Sequence, residues 1–162
     1  MRSQDVEDLY VRYGHRVFGR CRVLVRDEAS ALDLTQEVFV RALDRLLRFG
    51  DDRQALAWLL RVATNLSLNE LRRRRTWRLA DVEELPPGRG LVEALVEDRD
   101  RVRRILARTR GSTAQVGVGY FLEGRTAEEI ARELAVSVPT VRRRIRRFLE
   151  RARALHPTGG AA

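Results

Sequence analysis

Thr126-Ala-Glu-Glu-Ile-Ala-Arg-Glu-Leu-Ala-Val-Ser-Val-Pro-Thr-Val-Arg-Arg-Arg-Ile-Arg-Arg-Phe148 reads as two short helices joined by a tight turn. In the second, Val138, Val141, Ile145, Phe148, Leu149, Ala152 and Leu155 recur at helical spacing, so one stripe is buried and the opposite face is free. That free face carries Arg142, Arg143, Arg144, Arg146, Arg147, Arg151 and Arg153. Ser137 is placed to cap the helix, and Pro139 falls in its first turn, where a missing N–H has no intrahelical partner to lose. A helix started and charged in this way suits a DNA major groove.

Outward from that stretch, 162 residues suffice for one domain or two small ones. No apolar run is long enough to span a bilayer, and the basic start lacks the apolar stretch of a secretory signal, so a cytoplasmic protein without membrane insertion is expected. Cys21 is the only cysteine, which excludes an intrachain disulfide or a cysteine-based zinc site; it lies on the apolar stripe of the first helix and reads as core. All 32 cationic side chains are arginine, a bias that a GC-rich genome explains as well as selection for guanidinium chemistry. The net charge of +9 favours a polyanionic partner. Its distribution says more. Residues 1–78 hold 16 Arg against 11 acids, residues 79–98 hold 1 against 6, and residues 99–162 hold 15 against 6. Two basic blocks thus flank an acidic joint.

Val6, Leu9, Tyr10, Tyr13, Val17, Cys21, Leu24 and Val25 follow one face and predict a first helix from about Ser3 to Val25, with His15 off that face as a surface residue. Asp27 is placed to cap a second helix running to about Phe49, with Ala31, Leu34, Val38, Ala42 and Leu46 inward, packed antiparallel on the first. On it, Asp33, Gln36, Glu37 and Arg41 share a polar face, either an ordinary solvated surface or a docking stripe for a basic protein. Phe49 to Gln54 has turn chemistry.

A third helix is predicted from Ala55 to Trp77, with Leu59, Val62, Ala63 and Leu66 along one side and Trp58 in the core. It presents Arg61, Asn65 and Asn69, then Arg72, Arg73, Arg74 and Arg75; Asn pairs with adenine edges and an Arg run tracks phosphates. Trp77, after the arginines, reads as exposed. Pro86-Pro87-Gly88 interrupts any helix through 79–98, which reads as a flexible linker or an acidic tether in a cationic groove. Helices from Arg99 to Arg108 and from Thr113 to Leu122 follow, then a turn at Glu123-Gly124, and residues 156–162 read as a disordered tail. Asp51 and Asp52 alone make a weak divalent site, so no metal or other cofactor and no enzymatic role is expected; Asp52 reads as the cap of the third helix or as lining for a base pocket.

In combination these segments resemble a bacterial RNA polymerase sigma factor of the sigma-70 family, of the compact extracytoplasmic-function (ECF) group. Asp33 to Ala42 resembles the segment that grips the clamp helices of the polymerase's largest subunit. Ala57 to Arg75 resembles the promoter-melting and −10-reading helix, and Glu123 to Val141 is similar to the −35-reading helix-turn-helix. The resemblance implies an all-α fold of two small helical domains, 1–78 and 99–155, joined by a flexible acidic linker at 79–98, the second a winged-helix-like four-helix domain carrying the helix-turn-helix. It implies polymerase contacts through Asp33, Gln36, Glu37 and Arg41, and through the flap region. The −10 strand would meet Arg61, Asn65, Asn69 and Arg72 to Arg75, with a flipped base at Gly50, Asp51, Asp52, Arg53 and Gln54. The −35 duplex would meet Thr126, Ser137, Pro139, Thr140, Arg142, Arg143, Arg144 and Arg147. The implied partners are core RNA polymerase, promoter DNA in duplex and single-stranded form, and an anti-sigma factor, with nucleoid association in the holoenzyme.

Rival readings are a helix-turn-helix regulator that never joins polymerase, a nucleic-acid enzyme using Asp51 and Asp52, and a sigma mimic that sequesters another regulator. The chain departs from the family at Ala135, where glycine is usual and a left-handed backbone costs roughly 1 kcal/mol. It also departs at the arginine run 142–147 and in the absence of a proline-led start at Thr109 to Gln115.

Overall fold

The computed structural model describes residues 2–45, 49–74 and 90–155, and every regular element among them is helical. Helix α1 (Arg2–Val25), α2 (Glu28–Arg45) and α3 (Asp52–Arg74) form a three-helix unit. Arg26, in the left-handed region, turns the chain between α1 and α2, and Asp27 caps α2 by accepting from the Ser30 N–H at 2.8 Å. The Ser30 N–H and hydroxyl and the Arg74 guanidinium hold the Asp27 carboxyl well below the usual carboxylate range.

Val6, Leu9, Val17, Cys21 and Val25 of α1 meet Ala31, Val38, Phe39 and Ala42 of α2 and Ala55, Leu59 and Ala63 of α3 in one core. Cys21 is fully buried, and His15 is exposed, as their positions on the helix predicted. Tyr10 departs from the expected stripe: it lies at the rim, 49% exposed, edge-on to Phe39 at 5.0 Å. Trp58 is half-buried against Phe49, with ring centroids 5.4 Å apart. Leu46, Trp77 and the tail lie outside the described residues.

The rest of the fold is α4 (Gly90–Glu97), α5 (Arg99–Ala107), α6 (Gly111–Gly117) running on as a π-helical turn (Val118–Leu122), α7 (Ala127–Leu134) and α8 (Val138–Leu155). The expectation of a flexible linker over 79–98 is corrected in its second half. Residues 90–97 are helical, and Leu91 and Leu95, one turn apart on one face, are fully buried. They join a core with Val102, Ile105, Leu106, Val118, Phe121, Leu122 and Phe148. Residues 79–89 lie outside the described residues.

That second core does not stop at the boundary between the units: Leu24 of α1 and Leu68 and Leu71 of α3 belong to it. Helix α3 is therefore buried on two sides, by α1 and α2 on one and by α5, α6 and α7 on the other. Its apolar residues consequently spread around the helix instead of following the single stripe that the sequence suggested.

Candidate nucleic-acid interface

Because α3 packs on both flanks, a narrow strip remains open, and Arg61, Asn65 and Asn69, spaced by four residues, are exposed along it. The arginine run after them does not act as one unit. Arg72 donates from Nη1 to Asn69 Oδ1 at 2.8 Å, from Nε to the Ala107 carbonyl at 2.6 Å, and from Nη2 to the Thr109 carbonyl at 3.1 Å. It thus ties α3 to the chain after α5. Arg74 bonds the Val25 carbonyl at 3.1 Å, Asp27 at 2.8 Å, Ser30 at 2.7 Å and Glu70 at 3.1 Å, a structural joint within the first unit. Arg73 is exposed with Glu70 as its partner, and Arg75 lies outside the described residues.

At the start of α3 the cap is Asp51, one residue before the expected Asp52: its Oδ1 accepts from the Gln54 N–H at 2.8 Å, while Gln54 Oε1 accepts from the Gly50 N–H at 3.0 Å. The Gln54 side chain thus reaches one residue past the cap, to Gly50, in a relative of the capping box. Asp52 becomes the first helical residue and pairs with Arg12. Beside it a cavity of about 200 Å³ is lined by Asp5, Asp8, Leu9, Arg12, Phe49, Asp51, Asp52 and Ala55, while Arg53 is exposed. Among the described residues no three His, Cys, Asp or Glu side chains gather into a cluster fit for a metal.

On α2, Asp33, Gln36, Glu37 and Arg41 are all exposed, and Glu37 and Arg41 pair at 2.8 Å across one turn. Sequence reasoning missed their apolar neighbours: Leu32, Val40 and Leu43 are 45%, 57% and 39% exposed. Their spacing of eight and three residues was the available signal, since it puts them together on the side away from Ala31, Val38 and Ala42.

The α7–α8 pair is a helix-turn-helix with well-made ends. Thr126 and Glu129 form a capping box at α7, with bonds of 3.1 and 2.9 Å, so the Thr126 hydroxyl is engaged in starting the helix. Ala135 stands in the left-handed region at φ 55°, as the turn demands. Ser137 Oγ accepts from the Thr140 N–H at 3.3 Å and lies 2.8 Å from its hydroxyl, and Pro139 occupies the first turn of α8. The α8 stripe is confirmed, with Val141, Phe148 and Ala152 buried and Val138, Ile145, Leu149 and Leu155 packed at its edge. Arg142, Arg143 and Arg147 are exposed, Arg142 lying 3.5 Å from Glu128. Arg144 faces elsewhere: it is half-buried and shares a cavity of about 250 Å³ with Arg61 and Asn65 of α3 and with Gln115, Leu134 and Val136.

A second group escaped the sequence reading altogether. The π turn ends in a Glu123 N–H to Val118 carbonyl bond of 3.1 Å, and Gly124 at φ 65° reverses the chain, which aims Glu123 at α1. There Glu123 binds both Arg16 and Arg20. Arg16 also forks onto Glu133 of α7, at 3.1 and 2.8 Å, and Arg125 reaches Glu133 at 2.7 Å. Arg20 is 1% exposed, and its other contact is Thr64 Oγ1 of α3 at 2.9 Å. Burial pushes the Arg20 pKa down; Glu123 opposes that shift and Arg16 adds to it. Burial also works against Arg16, but Glu133 and Glu123 outweigh it and its pKa rises. Both guanidinium groups keep their charge. Removing one partner of such a pair leaves a buried charge uncompensated, at a cost of about 3–5 kcal/mol.

Residues 9–77 match sigma-70 region 2, and residues 118–151 match sigma-70 region 4. The RNA polymerase sigma-H factor of Pseudomonas aeruginosa is 30% identical over 165 residues, which cover 92% of this chain and 85% of that protein. The ECF RNA polymerase sigma factor SigE of Mycolicibacterium smegmatis is 30% identical, with 91% of this chain and 60% of that protein covered. A probable RNA polymerase sigma factor, RfaY of Xanthomonas campestris, is 29% identical, with 81% of this chain but only 34% of that protein covered. The chain thus spans about a third of RfaY and three fifths of SigE. The chain belongs to the sigma-70 family of RNA polymerase sigma factors, in its extracytoplasmic-function group.

Proposed function

We propose that this chain joins core RNA polymerase and directs promoter-specific initiation, holding melted −10 DNA on α3 and −35 duplex on α8. The observation that carries this reading is the outward face of α2, where exposed Leu32, Val40 and Leu43 stand beside Asp33, Gln36, Glu37 and Arg41. Apolar anchors ringed by charge suit a basic protein helix, here the clamp helices of the largest subunit. A regulator that never met polymerase would leave that face without use. The exposed Asn65 with Arg61 and Asn69 supports base reading on a captured single strand, so strand separation would be driven by binding and not by nucleotide hydrolysis. Exposed Arg142, Arg143 and Arg147 beside Thr140 support duplex binding at −35, with the second unit held near the flap. The acidic stretch from 79 serves as the connector, an anti-sigma factor supplies control, and the holoenzyme acts at the nucleoid. Among the described residues no helix is long and apolar enough to cross a membrane.

The test is retention by core polymerase at low salt. Asp33, Gln36 and Glu37 changed together to alanine should weaken it by roughly tenfold or more. Unchanged retention would remove the docking assignment.

A further inference from the structure

Gln115 of α6 is 3% exposed, and the two ends of its amide are treated differently. Nε2 donates to the Arg61 carbonyl at 3.1 Å, whereas Oε1 is buried without a hydrogen-bond partner. Turning the amide over would set Oε1 against that carbonyl, oxygen to oxygen, so the carbonyl fixes which end is left over. A buried acceptor without a donor costs about 1–3 kcal/mol. Gln115 stands in the wall of the cavity of about 250 Å³ that α3, α6 and α8 share, so a donor from outside the chain has a place to enter. The cavity is also cationic. Arg61 and Arg144 line it, and neither guanidinium is paired with a carboxylate among the described residues. Burial lowers the Arg144 pKa, and the charges of Arg143, Arg147 and Arg61 lower it further, which an anion would reverse. Leu134 and Val136, on either side of the left-handed Ala135, supply an apolar lining.

We propose that this cavity binds a free nucleotide whose base carries an amino group, with the phosphate on Arg61 and Arg144, the base against Leu134 and Val136, and the amine donating to Gln115 Oε1. Each simpler ligand leaves part of the lining unanswered. Inorganic phosphate satisfies the arginines and leaves Gln115 without a donor. A cationic amine supplies the donor and is repelled by the arginines. A phosphate joined to a flat, amine-bearing base answers all three features at once, and a guanidinium pair is suited to the fork of a phosphate. The neighbouring cavity of about 310 Å³ shares Asn65 and Gly111 with the first and adds Arg110, so further phosphates have room and a cation to meet. Together the two fall within the range of about 300–1,000 Å³ usual for small-molecule sites. The site goes beyond the polymerase and promoter reading and does not rest on it. Arg61 and Asn65 stand in both, but Gln115 belongs to this site alone.

The test is calorimetric titration of the full chain, without polymerase, against five probes: AMP, GMP, CMP, purine riboside 5′-monophosphate, whose base has no N–H, and inorganic phosphate. At least one amine-bearing nucleotide should bind about tenfold or more tightly than the riboside and the phosphate, because the site's buried acceptor is satisfied only by the former. Gln115→Met keeps the side-chain length and should erase that preference while phosphate binding stays. Arg144→Gln should weaken every probe, and together with the wild-type preference it decides the matter if Gln115→Met lowers folding yield. Equal binding of all five probes would mean an anion site only and would overturn the proposal, as would no binding, or a preference that survives Gln115→Met. A single-stranded oligodeoxynucleotide separates the remaining source of phosphate and base. If it binds with the Gln115 dependence while the free nucleotides do not, the cavity serves the DNA strand and the nucleotide site is refuted.

Discussion

The two edges of the interface between the helical units are built on opposite electrostatic plans. At one, Arg16 and Arg20 meet Glu123 and Glu133 with little access to water. At the other, burial and the neighbouring positive charges of Arg143, Arg147 and Arg61 lower the pKa of Arg144, and burial with Arg110 lowers that of Arg72, around cavities of about 250 and 310 Å³. The difference separates two uses of arginine in a chain where every cation is arginine. A buried guanidinium with carboxylates on its fork holds structure, and Arg72 does the same through backbone carbonyls, whereas Arg144, set among other guanidinium groups, keeps capacity for phosphate.

The largest way to break the comparison is at Glu123. A urea titration of Glu123→Gln should show a loss of about 3–5 kcal/mol, since Arg20 is left buried beside Arg16 without its counterion. A loss below about 1 kcal/mol would mean that the cluster is solvated. Salt separates the two edges with a smaller effect. Between about 0.01 and 1 M the screening length falls from roughly 30 to 3 Å, which quiets the open arginine edge far more than the buried one. Wild-type stability should therefore rise, by about 1 kcal/mol, where a chain held by surface ion pairs would lose stability. The smallest change is at Ala135, in the turn whose Leu134 and Val136 form one wall of the arginine edge. Ala135→Gly relieves the left-handed strain and adds unfolded-state entropy, so it should gain about 0.5 kcal/mol in the same titration.

What the sequence made legible follows from the range of each interaction. The α8 stripe and the Asp27 and Ser137 caps depend on residues within a turn or two of one another, and they lie where the spacing placed them, while the left-handed Ala135 is what the family resemblance implied. The cap at Asp51 instead of Asp52 shows the same rule at its limit, because two adjacent carboxylates compete and the Gln54 side chain returning to Gly50 decides between them. Helix α4 was hidden by its setting: Leu91 and Leu95 carry helical spacing, but Pro86-Pro87-Gly88 and the surrounding acids dominate the stretch. The cluster of Arg16 and Arg20 with Glu123 and Glu133 was invisible for a different reason. Its partners are separated by 103 to 117 residues, and an arginine on the polar side of α1 looks the same in sequence whether it faces water or Glu123. The exposed Leu32, Val40 and Leu43 are readable from their spacing, but Asp33, Gln36, Glu37 and Arg41 are interleaved with them, so that side of α2 reads as polar.

The most direct measurement of the central claim is to map the 5′ ends of transcripts made by core polymerase with and without this chain. The account predicts new, discrete start sites that share two separate upstream motifs, with the downstream motif's selectivity lost in Asn65→Ala. No start sites beyond those of core polymerase alone would contradict it.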